Sequence, residues 1–387
     1  MSNTSVKTPD RLLALKPETT VHLSWQENNC HHPFQKANVC PLRLVVLSLA
    51  LLFTALAPTL LCAGIIGAPI TSGGYSFTNF DPSLTGTAAG SNANGISNTG
   101  QVVGTLVDVN NAPTFTNFSG TPGTTTTLNT GAGQTAFGIN SAGDIVGGNG
   151  TNAFFLPNGG SLQTLGVPGG AINAFGINDK GNIVGQFTSG ANTPGFILNN
   201  NASSTFTTIN QPTGVTSDVI NAQSINNNGQ VVGFYLGNDG QVHGFTANAP
   251  AQPGTINATA VADPLIPAVA GEPGATFVFS QILGVNDNGL AVGYYGDSTT
   301  SQHGYVYNTN TGSFTFLDDP AAAFHNGVEV TQITGITNSG VIAGFYTDAN
   351  GIAHSFIANP VPEPSALLLA GLSLGAFGLG YFRLRRV

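Results

Sequence analysis

The chain reads as an all-β protein, a six-bladed β-propeller, and three observations predict it. A ten-residue pattern recurs six times, each copy is followed by further short strand-like segments, and the strand that the last copy lacks stands before the first copy. Periods of this length belong to propeller blades or to linear arrays, so an open β-solenoid of repeated hairpins is the alternative. A signal helix at the N-terminus and a transmembrane helix at the C-terminus are expected to flank the repeats.

The first copy runs Gly95-Ile96-Ser97-Asn98-Thr99-Gly100-Gln101-Val102-Val103-Gly104. The others span Gly138 to Gly147, Gly176 to Gly185, Ser224 to Gly233, Gly284 to Gly293 and Gly335 to Gly344. In each copy apolar residues flank a short polar segment ending in Gly. Asn tolerates unusual backbone angles and Gly supplies positive φ, so two strands fold back as a hairpin.

A third strand follows each hairpin: Thr114 to Phe118, Ala153 to Leu156, Gly195 to Leu198, His243 to Ala247, His303 to Tyr307 and His354 to Ala358. A fourth is legible in segments such as Thr205 to Ile209 and Ser313 to Leu317, where small polar and apolar residues alternate as a half-buried strand requires. In the fourth copy a Pro-rich stretch from Ala249 to Gly274 hides it and reads as a long surface loop. The sixth copy has no fourth strand before the C-terminal segment begins. Tyr75 to Pro82 resembles Phe314 to Pro320 and has no hairpin of its own, so it is expected to complete the last blade. That would close the ring and remove exposed sheet edges.

Composition excludes several functions. Residues 69–360 hold one base, Lys180, against 14 Asp and Glu residues. Phosphate backbones are bound by clustered Lys and Arg, so nucleic acid is excluded as a partner. The three cysteines, Cys30, Cys40 and Cys62, precede the expected cleavage point, which leaves the mature domain no disulfide and a core that must hold it alone. Val, Ile and Phe recur regularly through the repeats, an apolar supply that disordered chains lack.

The termini carry targeting information, and three regions follow: residues 1–68, 69–360 and 361–387. Val45 to Leu61 is almost wholly apolar, preceded by Lys36 and Arg43 and followed by small residues, which reads as an export signal cut after Ala63 or Ala68. The polar extension from Met1 to Cys40 is longer than an ordinary signal's basic start, and Met1 is the sole methionine. A translation start nearer Arg43 is therefore expected. Leu61 is bulky where a lipidation signal wants a small residue before its cysteine, so Cys62 reads as unmodified.

At the other end, Val361-Pro362-Glu363-Pro364 precedes an uncharged stretch from Ser365 to Phe382, and Arg383, Arg385 and Arg386 close it. As a helix those 18 residues reach about 27 Å, close to a bilayer core of roughly 30 Å. The arginines would stay cytoplasmic, with the repeats outside. This order of parts resembles the PEP-CTERM sorting signal of Gram-negative bacteria. The resemblance implies recognition by an exosortase-like membrane protease and a destination at the cell surface or in the exopolysaccharide matrix. The repeats themselves resemble the extracellular HAF family, in which a Gly-Ile-Asn-x-x-Gly-x-Val-Val-Gly core is followed by His-Ala-Phe. Here the second element stands as His243-Gly244-Phe245, His303-Gly304-Tyr305 and His354-Ser355-Phe356, and as Pro113-Thr114-Phe115, Asn152-Ala153-Phe154 and Pro194-Gly195-Phe196 in the first three copies. That likeness implies a surface repeat protein and carries no catalytic residues.

Candidate chemistry is sparse. The three repeated histidines read as structural, because equivalent positions on separate blades lie far apart, and no metal or other cofactor is assigned. Asn286 to Gly289 and Asp348 to Gly351 hint at calcium loops but lack the distal carboxylate of an EF-hand, so hairpin turns explain them and calcium stays a weak alternative. Asp318-Asp319 is the sole adjacent acidic pair, and Glu272, Glu329 and Glu363 are the only glutamates after Glu27. Asp318 reads as a turn cap before Pro320. A retaining glycosidase would need two carboxyls about 5 Å apart. Tyr235, Tyr294, Tyr295 and Tyr346 would stack on sugars if exposed. No Gly-x-Ser-x-Gly element occurs. The expected function is thus a non-enzymatic binding or structural protein, with a secreted polysaccharide hydrolase or lyase acting in the propeller channel as the alternative.

Overall fold

In each of the first five copies, four antiparallel strands lie side by side in chain order, and in the sixth three do. The computed structural model describes residues 65–361 apart from 84–85, 168, 200–205 and 270–271, and all of them fall in the unit from Leu60 to Val387. Inner strands are Ala88–Ile96, Thr135–Ile139, Ala171–Ile177, Ile220–Ile225, Phe277–Val285 and Thr331–Ile336. Each pairs with a second strand: Val102–Asp108, Ile145–Gly148, Ile183–Phe187, Gln230–Leu236, Leu290–Asp297 and Ile342–Thr347. Third strands follow at Pro113–Gly120, Ala153–Leu156, Gly195–Leu198, Val242–Asn248, Gln302–Asn308 and Ala353–Pro360.

The outer strands of the first five copies are Thr126–Leu128, Gln163–Thr164, Phe206–Asn210, Thr259–Ala260 and Ser313–Phe316. The sixth is supplied from the other end of the domain. Tyr75–Phe80 pairs antiparallel with Ala353–Pro360 over six residue pairs, from Tyr75 opposite Pro360 to Phe80 opposite Ser355. A further strand, Ile65–Ser72, pairs with Tyr75–Phe80 on its far side, which the sequence did not disclose.

The result is a propeller-like all-β arrangement. Four sheets stand as separate blades, three of four strands and one of five, while the strands of copies two and three share a nine-stranded sheet through the pair Asn173 and Gly148. No α-helix occurs among the described residues, and there no helix is long and apolar enough to cross a membrane. The expected signal helix, the apolar C-terminal helix, Pro362, Glu363, Pro364, Arg383, Arg385 and Arg386 lie outside the described residues. Val361 is described and is exposed, its amide donating to the Gly74 carbonyl at 2.8 Å.

The core forms between sheets. One cluster joins Val184, Ile197 and Ile209 of copy three to Ile220, Ala222 and Phe245 of copy four. Another joins Phe80 of the N-terminal strand to Ala93, Val102, Leu106 and Phe118 of copy one, so the strand that completes the sixth copy also packs against the first. Burying a side chain of this size is worth about 1.5–3 kcal/mol, which allows a domain without disulfides to stand.

Two local devices recur. The glycine ending each motif faces an aromatic on the third strand: Gly104 with Phe118, Gly147 with Phe154, Gly185 with Phe196, Gly233 with Phe245, Gly293 with Tyr305 and Gly344 with Phe356. At Gly104 a Cβ would lie 2.5 Å from the Phe118 ring, so the absent side chain is the slot that the ring fills. The partner in copy one is therefore Phe118, whereas the motif likeness had pointed to Phe115, which is exposed and has a φ of 56°. The second device is a register shift in every inner strand just before the first motif residue, for example between Ala174 and Gly176. Such a bulge leaves one residue unpaired and re-aims it. Those residues are Asn94, Phe137, Phe175, Gln223, Leu283 and Thr334, and all six line the central cavity.

Two expectations change here. The Ala249 to Gly274 stretch is not wholly loop: Thr259–Ala260 is the fourth strand of copy four, and Thr255–Asn257 pairs parallel with Phe206–Asn210. In the motif turns positive φ falls on the glycine alone, for example 83° at Gly229. The asparagines are there for their side chains.

Candidate functional site

The six inner strands surround a cavity of about 230 Å³ lined by equivalent residues of successive copies. Its walls carry Ile96, Ile139, Ile177, Ile225, Val285 and Ile336 beside the bulge residues. Its turn-side mouth carries Asn98, Asp179, Asn227, Asp287 and Asn338, at equivalent motif positions of copy one and copies three to six.

Beneath the mouth, the asparagine that opens the turn in copies two to five does two tasks. Asn226 Oδ1 accepts from the amides of Asn228 and Gln230 in its own turn at 3.0 and 2.9 Å, while its Nδ2 donates to the carbonyl of Asn286 in the next copy at 2.8 Å. Asn140, Asn178 and Asn286 reach the next copy's carbonyl in the same way. These side chains are buried, so their polar atoms need partners, and the repeat supplies them.

At the mouth itself the amides of Ser141, Asp179, Asn227 and Asp287 each donate to the side-chain Oδ1 of the next copy's residue, Asp179, Asn227, Asp287 and Asn338 in turn. Asn338 N then donates to Asn98 Oδ1 at 2.7 Å, which joins the last copy to the first. Two carboxylates sit among amides: Asp179 Oδ2 accepts from Asn98 and Asn227 at 2.9 and 3.2 Å, and Asp287 Oδ2 from Asn227 and Asn338 at 2.9 and 2.7 Å. Partial burial opposes charge on Asp179, but the Ser141 amide and the Asn98 side chain outweigh it and hold its pKa below the usual carboxylate value. Asp179 is therefore ionised at neutral pH.

The three repeated histidines form a second constellation on the third strands. Each stands opposite a tyrosine of the second strand: Tyr235 with His243, Tyr295 with His303 and Tyr346 with His354. Each imidazole also lies between carboxylates that sequence spacing did not reveal. His243 meets Asp263 at 2.9 Å and Asp239 at 3.0 Å, and His354 meets Asp81 at 2.7 Å and Asp348 at 3.6 Å. His303 meets Asp318 at 2.8 Å and Glu272 at 3.0 Å, with Asp297 at 3.8 Å. The histidines are thus held by acids. The acids that follow the outer strands, Asp263, Asp318 and Asp81, stand one or two residues before Pro264, Pro320 and Pro82, a spacing that could have flagged them.

Burial of each imidazole works against its charge, and the flanking carboxylates overcome it: Asp263 and Asp239 raise His243, Asp81 and Asp348 raise His354, and Asp318 with Glu272 raises His303 to about 9. A raised folded-state value means stabilisation that is whole below the ordinary pKa of 6.5 and is lost as pH climbs through the folded value. For His303 the displacement corresponds to about 3 kcal/mol. In chelator-treated protein, thermal melts are expected to show Tm falling between pH 6.5 and 9, and Tm level or rising across that window would refute the arrangement.

Other expectations resolve plainly. Asp318 is no turn cap: its Oδ2 faces His303 and its Oδ1 accepts from Gly304 N at 3.0 Å. Asp319 caps the turn, accepting from Ala321 N at 2.8 Å, and burial pushes its carboxyl up to about 6. The two carboxylates therefore serve different surroundings. Tyr235, Tyr294, Tyr295 and Tyr346 are buried, so they offer no platform to a sugar. The Asn286 and Asp348 segments are hairpin turns whose side chains accept from Leu290 N and Ile352 N at 3.0 and 2.9 Å.

No protein-family model matches the chain, and no curated protein matches it. Among solved structures, a prolyl endopeptidase aligns at a TM-score of 0.40 and 13% identity over 71% of this chain, which spans 43% of that protein. The Aleuria aurantia lectin in complex with alpha-methyl-L-fucoside aligns at 0.37 and 11%, over 71% of this chain and 96% of the lectin. A subtype N10 neuraminidase-like protein of A/little yellow-shouldered bat/Guatemala/060/2010 aligns at 0.41 and 11%, over 73% and 98%. Likeness this distant assigns no activity.

Proposed function

We propose that the chain is an exported, non-enzymatic binding module whose six repeats form the six blades of one closed ring, and that it acts at the cell surface or in an exopolysaccharide matrix. The observation that carries the binding reading is the mouth of the central channel. Five copies contribute side-chain amides or carboxylates there in one hydrogen-bonded circuit, a surface suited to hydroxylated ligands such as glycan ends. Its ionised Asp179 is a poor proton donor, and glycoside cleavage needs a carboxyl that keeps its proton, which favours binding over hydrolysis in the channel.

Export and sorting rest on the apolar segments and on Val361, Pro362, Glu363 and Pro364, with an exosortase-like protease as partner and Arg383, Arg385 and Arg386 as the cytoplasmic stop. Removal of the leader after Ala63 keeps the strand Ile65–Ser72 whole, whereas removal after Ala68 divides it, so the first site is the better one. The test takes protein from the surface fraction of the native host. Its intact mass is expected to show both ends removed, and the protein is expected to bind the host's own polysaccharide without releasing reducing sugar. Full-length chain in the cytosol, or sugar release, would overturn the proposal.

A further inference from the structure

The His303 cluster differs from its two counterparts in one way that matters chemically. In copies four and six, one imidazole sits between two carboxylates at partly exposed positions, where water screens the single negative charge that an imidazolium leaves over. Copy five has a third. The Pro-rich insertion returns to the sheet carrying Glu272, whose side chain is 2% exposed and whose Oε2 lies 3.0 Å from His303 Nε2. Asp297 opens its hairpin turn as Asp348 does, and it is 1% exposed, like His303 itself.

Three carboxylates thus surround one imidazole in the least solvated of the three clusters. Even an imidazolium leaves surplus negative charge there, and buried charge without a counter-charge is costly.

A second observation points to what offsets it. Asp297 Oδ1 is fully used, accepting from Thr299 N, Thr299 Oγ1 and Ser301 N, but Asp297 Oδ2 is buried with no hydrogen-bond partner and faces His303 Nε2 at 3.8 Å. One oxygen each from Glu272 and Asp297 and one ring nitrogen of His303 lie within 4.8 Å of one another. Donors around a small divalent ion at about 2 Å stand roughly 3–4 Å apart, so small side-chain rotations close the set. Asp318 then holds the other ring nitrogen, Nδ1, at 2.8 Å, the carboxylate–histidine–metal relay that fixes ring orientation at metal sites. Thr299 Oγ1, 3.0 Å from Glu272 Oε1 and 2.7 Å from Asp297 Oδ1, steadies both carboxylates.

We infer that Glu272, Asp297 and His303 form a site for one divalent transition-metal ion of the zinc or manganese kind, with Asp318 as the residue positioning the imidazole. One nitrogen and two carboxylate donors suit such an ion better than calcium, which takes six to eight oxygens. On binding, the metal takes the place of the proton on Nε2, and that proton leaves to solvent. The site ties the insertion to the third strand of copy five and is structural, because its ligands are buried.

The test uses the full chain, purified in mild detergent, stripped with EDTA and titrated with zinc chloride. One zinc per chain is expected, with Tm raised, and calcium chloride is expected to have no such effect. His243→Gln and His354→Gln should bind as the wild type does, while Glu272→Gln and Asp297→Asn should bind at least 100-fold more weakly. X-ray absorption of zinc-loaded wild type, which needs no variant, should show one imidazole and no sulfur in the coordination shell. Failure of the folded wild type to bind zinc, undiminished binding by both carboxamide variants, or sulfur from Cys30, Cys40 or Cys62 in the shell would each overturn the assignment.

Discussion

Gly233→Ala is expected to destabilise the domain by at least about 3 kcal/mol, the upper end of what overpacking in a core costs. A Cβ at that position would stand 1.9 Å from the Asn221 carbonyl oxygen and 2.7 Å from the Phe245 ring. The first contact is with backbone of the paired inner strand, which cannot rotate away. The second is with a ring that is fully buried between copies three and four. Relief would require both the inner strand and the aromatic to move, and with them the turn that carries Asn226 and Asn227.

Gly240→Ala is the control. Gly240 has a φ of 80° but nothing near its absent side chain, so alanine there meets only backbone strain of about 1 kcal/mol. At roughly 2–4 °C per kcal/mol for a domain of this size, the first variant should melt at least about 6 °C below wild type and the second only a few degrees below. Similar Tm values for Gly233→Ala and wild type would refute the close approach.

Deletion of residues 65–83 is expected to have a still larger effect, the loss of a soluble folded monomer. Six residue pairs with Ala353–Pro360 disappear, along with Phe77 and Phe80, which are 1% and 0% exposed. Phe77 packs on Phe356 at 5.1 Å between ring centroids, and Phe80 enters the cluster of copy one. Removal of a buried phenylalanine costs about 3–5 kcal/mol, so the pair alone approaches the 5–15 kcal/mol that holds a domain together. The bared edge of Ala353–Pro360 would also be open to pairing with other chains. Size-exclusion chromatography should show aggregate, and a peptide of residues 65–83 added during refolding should restore monomer by strand addition. A truncated protein that remains monomeric with unchanged Tm would mean that the terminal pairing does not hold the fold, as an open solenoid would have it.

Much of this architecture was legible because its causes are local. Alternation of apolar residues marks strands, the turn glycine marks the reversal, and recurrence of both marks a repeated unit. The likeness of Tyr75–Phe80 to the outer strand of copy five was a long-range clue, readable because repeats provide their own internal comparison. The bulges were not legible, since the residue preceding the motif is Asn94, Phe137, Gln223 or Leu283 and shares no chemistry. Nor was the function of the turn asparagines, whose acceptors lie 38 to 60 residues ahead.

The strand order, the sixfold recurrence, the complementary terminal strand and the scarcity of bases are all written in the chain. These follow from short-range periodicity and composition, which survive without knowledge of neighbours in space. Where buried charges meet is set by the fold. Glu272 and His303 are 31 residues apart, and Asp81 and His354 are 273 apart. Electrostatic and hydrogen-bonding partners are chosen by distance in three dimensions, and the packing of one sheet against the next, not the order of residues along the chain, sets that distance.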